Sequence, residues 1–450
     1  MKRDCLQKII EWNTKSVRKP LVLMGARQVG KTWLMEEFAR LAYPSKAVFI
    51  NFMEMTDLRN ALSQATLTPL NLLALFQAST GKQIVAGKTL LVLDEIQECP
   101  QAMTALKFFH EQMPNQAIMV AGSLLGLSIG RSGQSSADSN GQASSFPVGK
   151  IERLEIHPMT FCEFLSACGK EGLADAIQQN DWTTIGLLSG EYESALKNYL
   201  LTGGMPEAVE TFARTRALSE VRAKQLGILA DYDDDFKKHA PPDLLAKIRL
   251  LWNNLPAQLA KENKKFIYTA LRPGARAREY ETALQWLDDA GMARQVYRVS
   301  PPRLPIKSYR DFGAFKLYVH DVGLLGAMSA LPIRAMLEGN ALLTNFKGAM
   351  AEQFVLCELL AAGFEPAYWT SDSGTAELDF VVQGEMDIVP IEVKAATNTK
   401  AKSLAVYRQS FSPRLSIKTS FKPFHLSDGL ANVPLYALAA YLSKVLVPTY

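Results

Sequence analysis

Eight residues, Gly25-Ala26-Arg27-Gln28-Val29-Gly30-Lys31-Thr32, restrict what this chain can fold into more than any other stretch. They spell GxxxxGK[ST], a pattern that needs a strand before it and a helix after it. The glycines let the backbone curl until its N–H groups face an anion, and the following helix aims its positive end at the same point. Pro20 to Met24 reads as the strand, and the stretch from Thr32 onward as the helix. In such a loop the lysine supplies a cation for phosphate oxygens and the hydroxyl completes a magnesium shell. All eight residues are therefore candidates for holding a nucleotide, with Lys31 also a catalytic candidate.

A second short motif fits the first. Leu90-Leu91-Val92-Leu93-Asp94-Glu95 is an apolar run that ends in two carboxylates. At the C-terminal edge of a parallel sheet, Asp94 would share a magnesium ion with Thr32. Glu95 would stand close to that metal without binding it, the place from which a carboxylate polarises water for attack on a γ-phosphorus; the alternative is a solvated or helix-capping carboxylate. Ser123 follows another predicted strand, Ile118 to Ala121, and is read either as a hydrogen-bond donor to the γ-phosphate or attacking water, or as a turn serine. Arg131 and Arg153 are candidates by position for an arginine that completes a neighbouring site. ATP and Mg2+ are the expected ligand and cofactor.

With 450 residues the chain exceeds one hydrophobic core, so about two to four domains are expected. A net charge of +4 permits local contact with nucleic acid without requiring it. Five cysteines, Cys5, Cys99, Cys162, Cys168 and Cys357, form no CxxC pair, which argues against a disulfide framework or a zinc site and fits a reducing cytoplasm. No apolar run approaches the roughly 20 residues that span a bilayer, and residues 1–5 lead into no signal-like apolar stretch, so no membrane is expected.

The fold class expected is α/β. Residues 1–150 should form a P-loop domain with a parallel sheet, whose further strands are Val48 to Phe52 and Thr89 to Leu93. Residues 128–145 are rich in Ser, Gly and Gln and read as a mobile loop. Helical spacing at Phe161 to Cys168, Tyr192 to Leu201 and Ala217 to Phe236 predicts a helical region over 151–240. Two helical stretches and an alternating run after Gly291 suggest a winged-helix-like region over 241–305, closed by a proline-rich linker at Pro301 to Pro305. Residues 306–450 should form a further α/β domain.

The chain resembles a known family, the AAA-type P-loop ATPases of bacteria and archaea that carry a C-terminal domain of unknown function, DUF4143. The resemblance rests on residues 25–32, Leu93-Asp94-Glu95-Ile96-Gln97, Ala121-Gly122-Ser123 and residues 145–150. It continues through residues 158–165, Gly203-Gly204-Met205-Pro206-Glu207, residues 277–280 and residues 315–325. It implies ATP-dependent action, an additional-strand topology in the ATPase core and a middle region similar to a winged helix.

The C-terminal domain carries Glu352 on a predicted helix, Asp379 on a strand and Glu392-Val393-Lys394 at the end of another. That order resembles the PD-(D/E)xK nucleases. Residues i and i+2 on a strand share a face, so Glu392 and Lys394 project together, and Asp379 from a neighbouring strand can join Glu392 around a metal. The alternatives are a nuclease fold used only for binding, or solvated charges at strand ends. Lys264, Lys265, Arg272, Arg276 and Arg278 are candidates for phosphate contacts with DNA, or form a solvated basic face. The expected activity is ATP hydrolysis that rearranges the later domains, on DNA. The alternatives are a nucleotide-gated module for a protein partner and an ATP-gated nuclease; a homo-oligomer is compatible with each.

Overall fold

The computed structural model describes residues 1–122, 147, 149–261, 264–338, 343–395 and 401–446. Ser123, Arg131 and the Ser/Gly-rich segment at 128–145 lie outside the described residues. The chain divides into two compact units. One is Arg3–Ile156 with Asp289–Gly291; the other is His157–Asp288 and Met292–Tyr450 with Met1–Lys2.

Among the described residues the first unit is built on five strands: β1 (Leu21–Met24), β2 (Ala47–Asn51), β3 (Leu90–Asp94), β4 (Ile118–Ala121) and β5 (Glu152–Glu155). All pair in parallel, in the order β2-β3-β4-β1-β5. Parallel sheets are covered on both faces, which is why β1, β3 and β4 are almost uninterrupted apolar runs. Ile118 and Val120 of β4 pack with Leu91, Leu93, Phe76, Leu106 and Phe109 in one core. Phe76 and the Leu106–Phe109 pair come from the helices Pro69–Thr80 and Pro100–Gln112, each opened by a proline at its first position, where the missing N–H costs nothing. The charged edge strand β5, Glu-Arg-Leu-Glu, lacks the apolar signal that marks the other four. That is why sequence pattern did not disclose it.

The second unit begins with seven helices, from Phe161–Ala167 to Pro242–Leu259. It continues into an eight-stranded mixed sheet of order β12-β13-β11-β10-β9-β8-β6-β7. The strands are β6 (Ala293–Val299), β7 (Arg310–Val319), β8 (Ala367–Thr370), β9 (Glu377–Gln383), β10 (Ile388–Val393), β11 (Ser416–Ser420), β12 (His425–Ser427) and β13 (Leu430–Pro434). The sheet crosses the boundary expected at residue 305. β6 pairs antiparallel with β7 and parallel with β8, so the run after Gly291 is an interior strand of the C-terminal sheet, and Pro301 to Pro305 lies between two paired strands. A lone alternating run does not reveal its partners, and here they lie up to 70 residues ahead.

Three separated segments meet inside this unit. The Asp321 carboxylate accepts the Gly204 N–H at 2.6 Å and the Leu324 N–H at 2.9 Å, capping the helix Val322–Met328. The Met159 N–H donates to the Gly204 carbonyl at 2.6 Å, and the Met159 carbonyl accepts the Tyr199 hydroxyl at 2.5 Å. No side chain fits at the glycines. A Cβ on Gly203 would stand 2.2 Å from Asp321 Oδ1, and one on Gly204 would stand 2.1 Å from the Met159 carbonyl. Burial pushes the Asp321 carboxyl up to about 6, against the backbone N–H groups that favour its charged form. Nearby, Thr160 and Glu163 form a reciprocal capping box that starts the helix Phe161–Ala167.

Gly204→Ala should therefore destabilise the chain by about 1–3 kcal/mol, as overpacking against backbone does. Gly172→Ala, on a helix with open space around it, should be neutral or slightly stabilising. Urea unfolding of the two full-length variants checks the contrast, and equal midpoints would show that the close approach at Gly204 relaxes freely.

Candidate nucleotide site

The loop between β1 and the helix Lys31–Ala42 is shaped by three left-handed residues, Gly25 (φ 148°), Gln28 (φ 64°) and Gly30 (φ 91°). A Cβ at Gly25 would lie 2.3 Å from the Ile156 carbonyl, so only glycine lets the loop start this close to the chain after β5. Left- and right-handed residues in succession turn backbone N–H groups to one side, which makes an anion-binding concavity. The helix opens at Gly30 without any side-chain cap, leaving its first N–H groups to whatever anion arrives.

Lys31 folds back over this loop. Its amine donates to the Gly25 carbonyl at 3.0 Å and to the Ala26 carbonyl at 2.8 Å. Burial lowers its pKa to about 8 in spite of the nearby Glu95 and Asp94 carboxylates, and Arg27 pushes in the same direction as burial. It is thus a cation at neutral pH, held by neutral oxygens.

Because β4 lies between β1 and β3, Asp94 at the end of β3 stands one strand away from the loop's own strand. Its Oδ2 accepts the Thr32 hydroxyl at 2.8 Å and its Oδ1 the Glu95 N–H at 2.9 Å. Burial raises the Asp94 pKa and these two hydrogen bonds oppose the rise. Glu95 is left-handed (φ 51°), an uncommon conformation for a non-glycine residue, and Gln97 Nε2 donates to its Oε2. A hydroxyl and a carboxylate oxygen side by side are hard oxygen donors of the kind that Mg2+ takes, so Thr32 and Asp94 fit that ion. The structure therefore brings together Gly25, Gly30, Lys31, Thr32, Asp94 and Glu95.

The C-terminal candidates come together differently. Glu352, on the helix Thr344–Ala361, is buried between two amines: it pairs with Lys264, and its Oε2 lies 3.9 Å from Lys316 Nζ. Tyr318 donates to the same carboxylate at 3.2 Å. Lys316 is itself buried and reaches Glu377 Oε1 at 2.7 Å. Burial works against the Lys316 cation, but Glu352, Glu377 and Asp379 outweigh it and raise its pKa. Burial would raise Glu352 as well, and here Lys264 and Lys316 prevail and hold it below the usual carboxylate range. Asp379 is pushed up to about 7, first by burial and then by Glu352, and hydrogen-bonds to that carboxylate while accepting the Val393 N–H at 2.8 Å.

Glu392 is used elsewhere. Its Oε1 meets Lys394 Nζ at 2.6 Å, as the i, i+2 spacing predicts, and its Oε2 accepts the Leu404 N–H at 3.1 Å in the first turn of the helix Lys402–Phe411. Among the described residues no group of three or more His, Cys, Asp or Glu side chains is placed to hold a metal ion. Sequence reasoning missed Lys316 and Tyr318, and it read Lys264 as a phosphate contact or part of a solvated basic face, whereas the side chain pairs with Glu352. Arg272, another of those surface candidates, pairs with Glu279 at 3.0 Å and lies over the Tyr280 ring; Arg276 and Arg278 are exposed.

A five-stranded parallel sheet with a glycine loop after β1 and a carboxylate pair after β3, separated by an inserted strand, defines a P-loop nucleotide-binding protein. The model of the family described as AAA domain matches residues 17–165. That of a domain of unknown function, DUF8612, matches 193–335, and that of a second, DUF4143, matches 347–438. The chain is an AAA-type protein with a C-terminal DUF4143 domain. No curated protein matches the sequence. Among solved structures it is similar to a Walker-type ATPase of Pyrococcus abyssi, at 12% identity and a TM-score of 0.44, covering 73% of this chain and 95% of that one. A structure of Drosophila ORC bound to DNA is similar at 12% identity and a TM-score of 0.26, covering 74% and 95%. No helix among the described residues is long and apolar enough to cross a membrane, and the five cysteines are free thiols.

Removing one partner of a buried ion pair leaves an uncompensated charge. Lys316→Met should therefore destabilise the chain by about 3–5 kcal/mol. Lys394→Met, whose side chain is 28% exposed, should cost less than about 1–2 kcal/mol. Urea unfolding of both variants measures the difference, and a small loss at Lys316 would mean that Glu352 finds other compensation.

Proposed function

We propose that this protein binds ATP in the loop Gly25–Thr32 and hydrolyses it, with Lys31, Thr32, Asp94 and Glu95 as the working side chains. The observation that carries the reading is the pairing of Thr32 Oγ1 with Asp94 Oδ2 at 2.8 Å beside a lysine whose amine donates to the loop carbonyls of Gly25 and Ala26. The backbone N–H groups of Gly30, Lys31 and Thr32 receive phosphate oxygens at the helix start. The Lys31 amine exchanges the Gly25 and Ala26 carbonyls for the β- and γ-phosphates. Thr32 and Asp94 hold Mg2+, which when bound supplies charge neutralisation at the phosphates. Glu95 orients a water in line with the γ-phosphorus and takes its proton as the bond to the β–γ bridging oxygen breaks. Ser123, two residues beyond Ala121 in the sequence, is the candidate donor to that water.

For the C-terminal domain, the ion pairs of Lys264 and Lys316 with Glu352 favour a scaffold that does not cleave DNA. In this reading the ATPase acts in the cytoplasm, and its nucleotide state governs how the second unit meets a partner. Incubating single- and double-stranded DNA with the protein, with Mg2+ or Mn2+ and with or without ATP, tests it. Intact DNA is expected; cleavage by the wild type that Lys394→Ala abolishes would assign a nuclease instead. DNA that accelerates ATP turnover would identify the partner as nucleic acid.

Lys31→Ala should lose ATP binding, measured with a fluorescent nucleotide. Glu95→Gln should keep that binding and turn ATP over on the order of 10²-fold more slowly. Normal turnover in both variants would sink the assignment. The Lys31 pKa of about 8 adds a pH signature. Bound phosphate favours the protonated amine and raises its pKa above that of the free site, so affinity is full below pH 8. It should fall by up to about tenfold per unit above that value, with proton uptake on binding. Calorimetry in buffers of different ionisation enthalpy detects the uptake, and a flat profile from pH 7 to 9.5 would contradict it.

A further inference from the structure

Arg3 precedes the range matched by the AAA family, and its guanidinium reaches into the phosphate loop. It is buried, with 6% of its surface exposed, and Nη1 donates to the Val29 carbonyl at 2.8 Å. Val29 itself has no exposed surface, so this hydrogen bond is made out of solvent, where a charged donor on a carbonyl is strongest.

The peptide that Arg3 grips is the one joining Val29 to Gly30. A trans peptide is planar, and its carbonyl and N–H point in opposite directions. Fixing the Val29 carbonyl on one side therefore fixes the Gly30 N–H on the other. Gly30 is left-handed at φ 91° and has no side chain, so nothing of its own restrains that peptide from rotating. It is also the residue at which the helix Lys31–Ala42 opens without a side-chain cap.

The segment that brings Arg3 here is firmly attached to the same helix. The helix Cys5–Thr14 follows at once, with the Leu6 N–H donating to the Arg3 carbonyl at 3.1 Å. Trp12 meets Phe38 edge-on at 6.3 Å between ring centres, and the Tyr43 hydroxyl donates to Asn13 Oδ1 at 2.8 Å. Phe38 lies on the helix that starts at the loop, and Tyr43 directly follows it. The N-terminal helix thus clamps both ends of that element, one through Arg3 on the loop and the other through Asn13.

We infer that Arg3 is a positioning residue of the nucleotide site, which holds the Val29–Gly30 peptide with its N–H turned toward the phosphates. The inference rests on the loop being the ATP site. Removing the guanidinium leaves that peptide free to rotate, so the ordering of one phosphate donor must come out of binding. The consequence is weaker nucleotide binding with little change in the chemical step, because Glu95, Asp94 and Thr32 are untouched.

The test measures steady-state ATP hydrolysis and thermal unfolding of the full chain for Arg3→Ala, Arg3→Lys and Lys31→Ala. For Arg3→Ala the KM for ATP should rise about tenfold while kcat stays within about threefold. Arg3→Lys, which keeps the charge and a donor, should fall between Arg3→Ala and wild type. Added guanidinium ion at millimolar concentration should lower the KM of Arg3→Ala and leave wild type unchanged. A residue that only stabilised the fold would reduce the active fraction, and so the apparent kcat and the unfolding temperature, without moving KM. A KM within about twofold of wild type in both Arg3 variants overturns the inference. If Arg3→Ala does not fold, the Arg3→Lys KM decides alone. ATP binding undiminished in Lys31→Ala would instead overturn the assignment of the loop, a separate outcome.

Discussion

Five strands that all run in one direction place every strand's C-terminal end on the same edge of the sheet, and the nucleotide site depends on that edge. β1 delivers the loop at Gly25 to it, β3 delivers Asp94, and β4 between them sets the two a strand's width apart from direct contact. The spacing is what allows Thr32, in the first turn of the helix after the loop, to meet Asp94 across the gap at 2.8 Å. Had β1 and β3 been neighbours, the end of β4 would not stand between the phosphate loop and Glu95. Burial then sets the electrostatics of that edge: it lowers the Lys31 pKa to about 8 and raises that of Asp94.

The second unit is organised around an interaction of another kind. Asp321, with Gly203, Gly204 and Met159, joins the helices of residues 159–239 to the strand β7 and the helix that follows it. Residues 158–165, 203–207 and 315–325 supplied much of the family resemblance in the sequence. Their meeting gives that resemblance a physical reason. The close approach excludes any Cβ at two glycines and requires a carboxylate to satisfy backbone donors from two segments. These motifs mark a packing junction, and a motif in sequence does not by itself distinguish such a junction from a reaction centre.

The C-terminal carboxylates make the same point from the other side. Glu352, Asp379, Glu392 and Lys394 were all visible in the sequence, and the i, i+2 rule correctly put Lys394 beside Glu392. What spacing could not show was which charges would face them. Lys264 arrives from 88 residues before Glu352 and Lys316 from the edge strand β7, and together they turn the acidic site expected for a metal into a compensated cluster of ions. The Glu392 carboxylate caps a helix that begins ten residues after it.

Local chemistry was legible in the sequence alone. The glycines of 25–32, the apolar run ending at Asp94-Glu95 and the strands β1 to β4 follow from turn requirements and from the continuous hydrophobicity of a strand buried on both faces. The helices at 161–167, 189–202 and 218–239 follow from their apolar period. The charged edge strand β5, the pairing of β6 with β7 and β8, and the lysines around Glu352 came only from the tertiary structure, as did the grip of Arg3 on Val29. Those features are contacts between distant segments, set by which surfaces bury together, and no local period or turn rule carries that information.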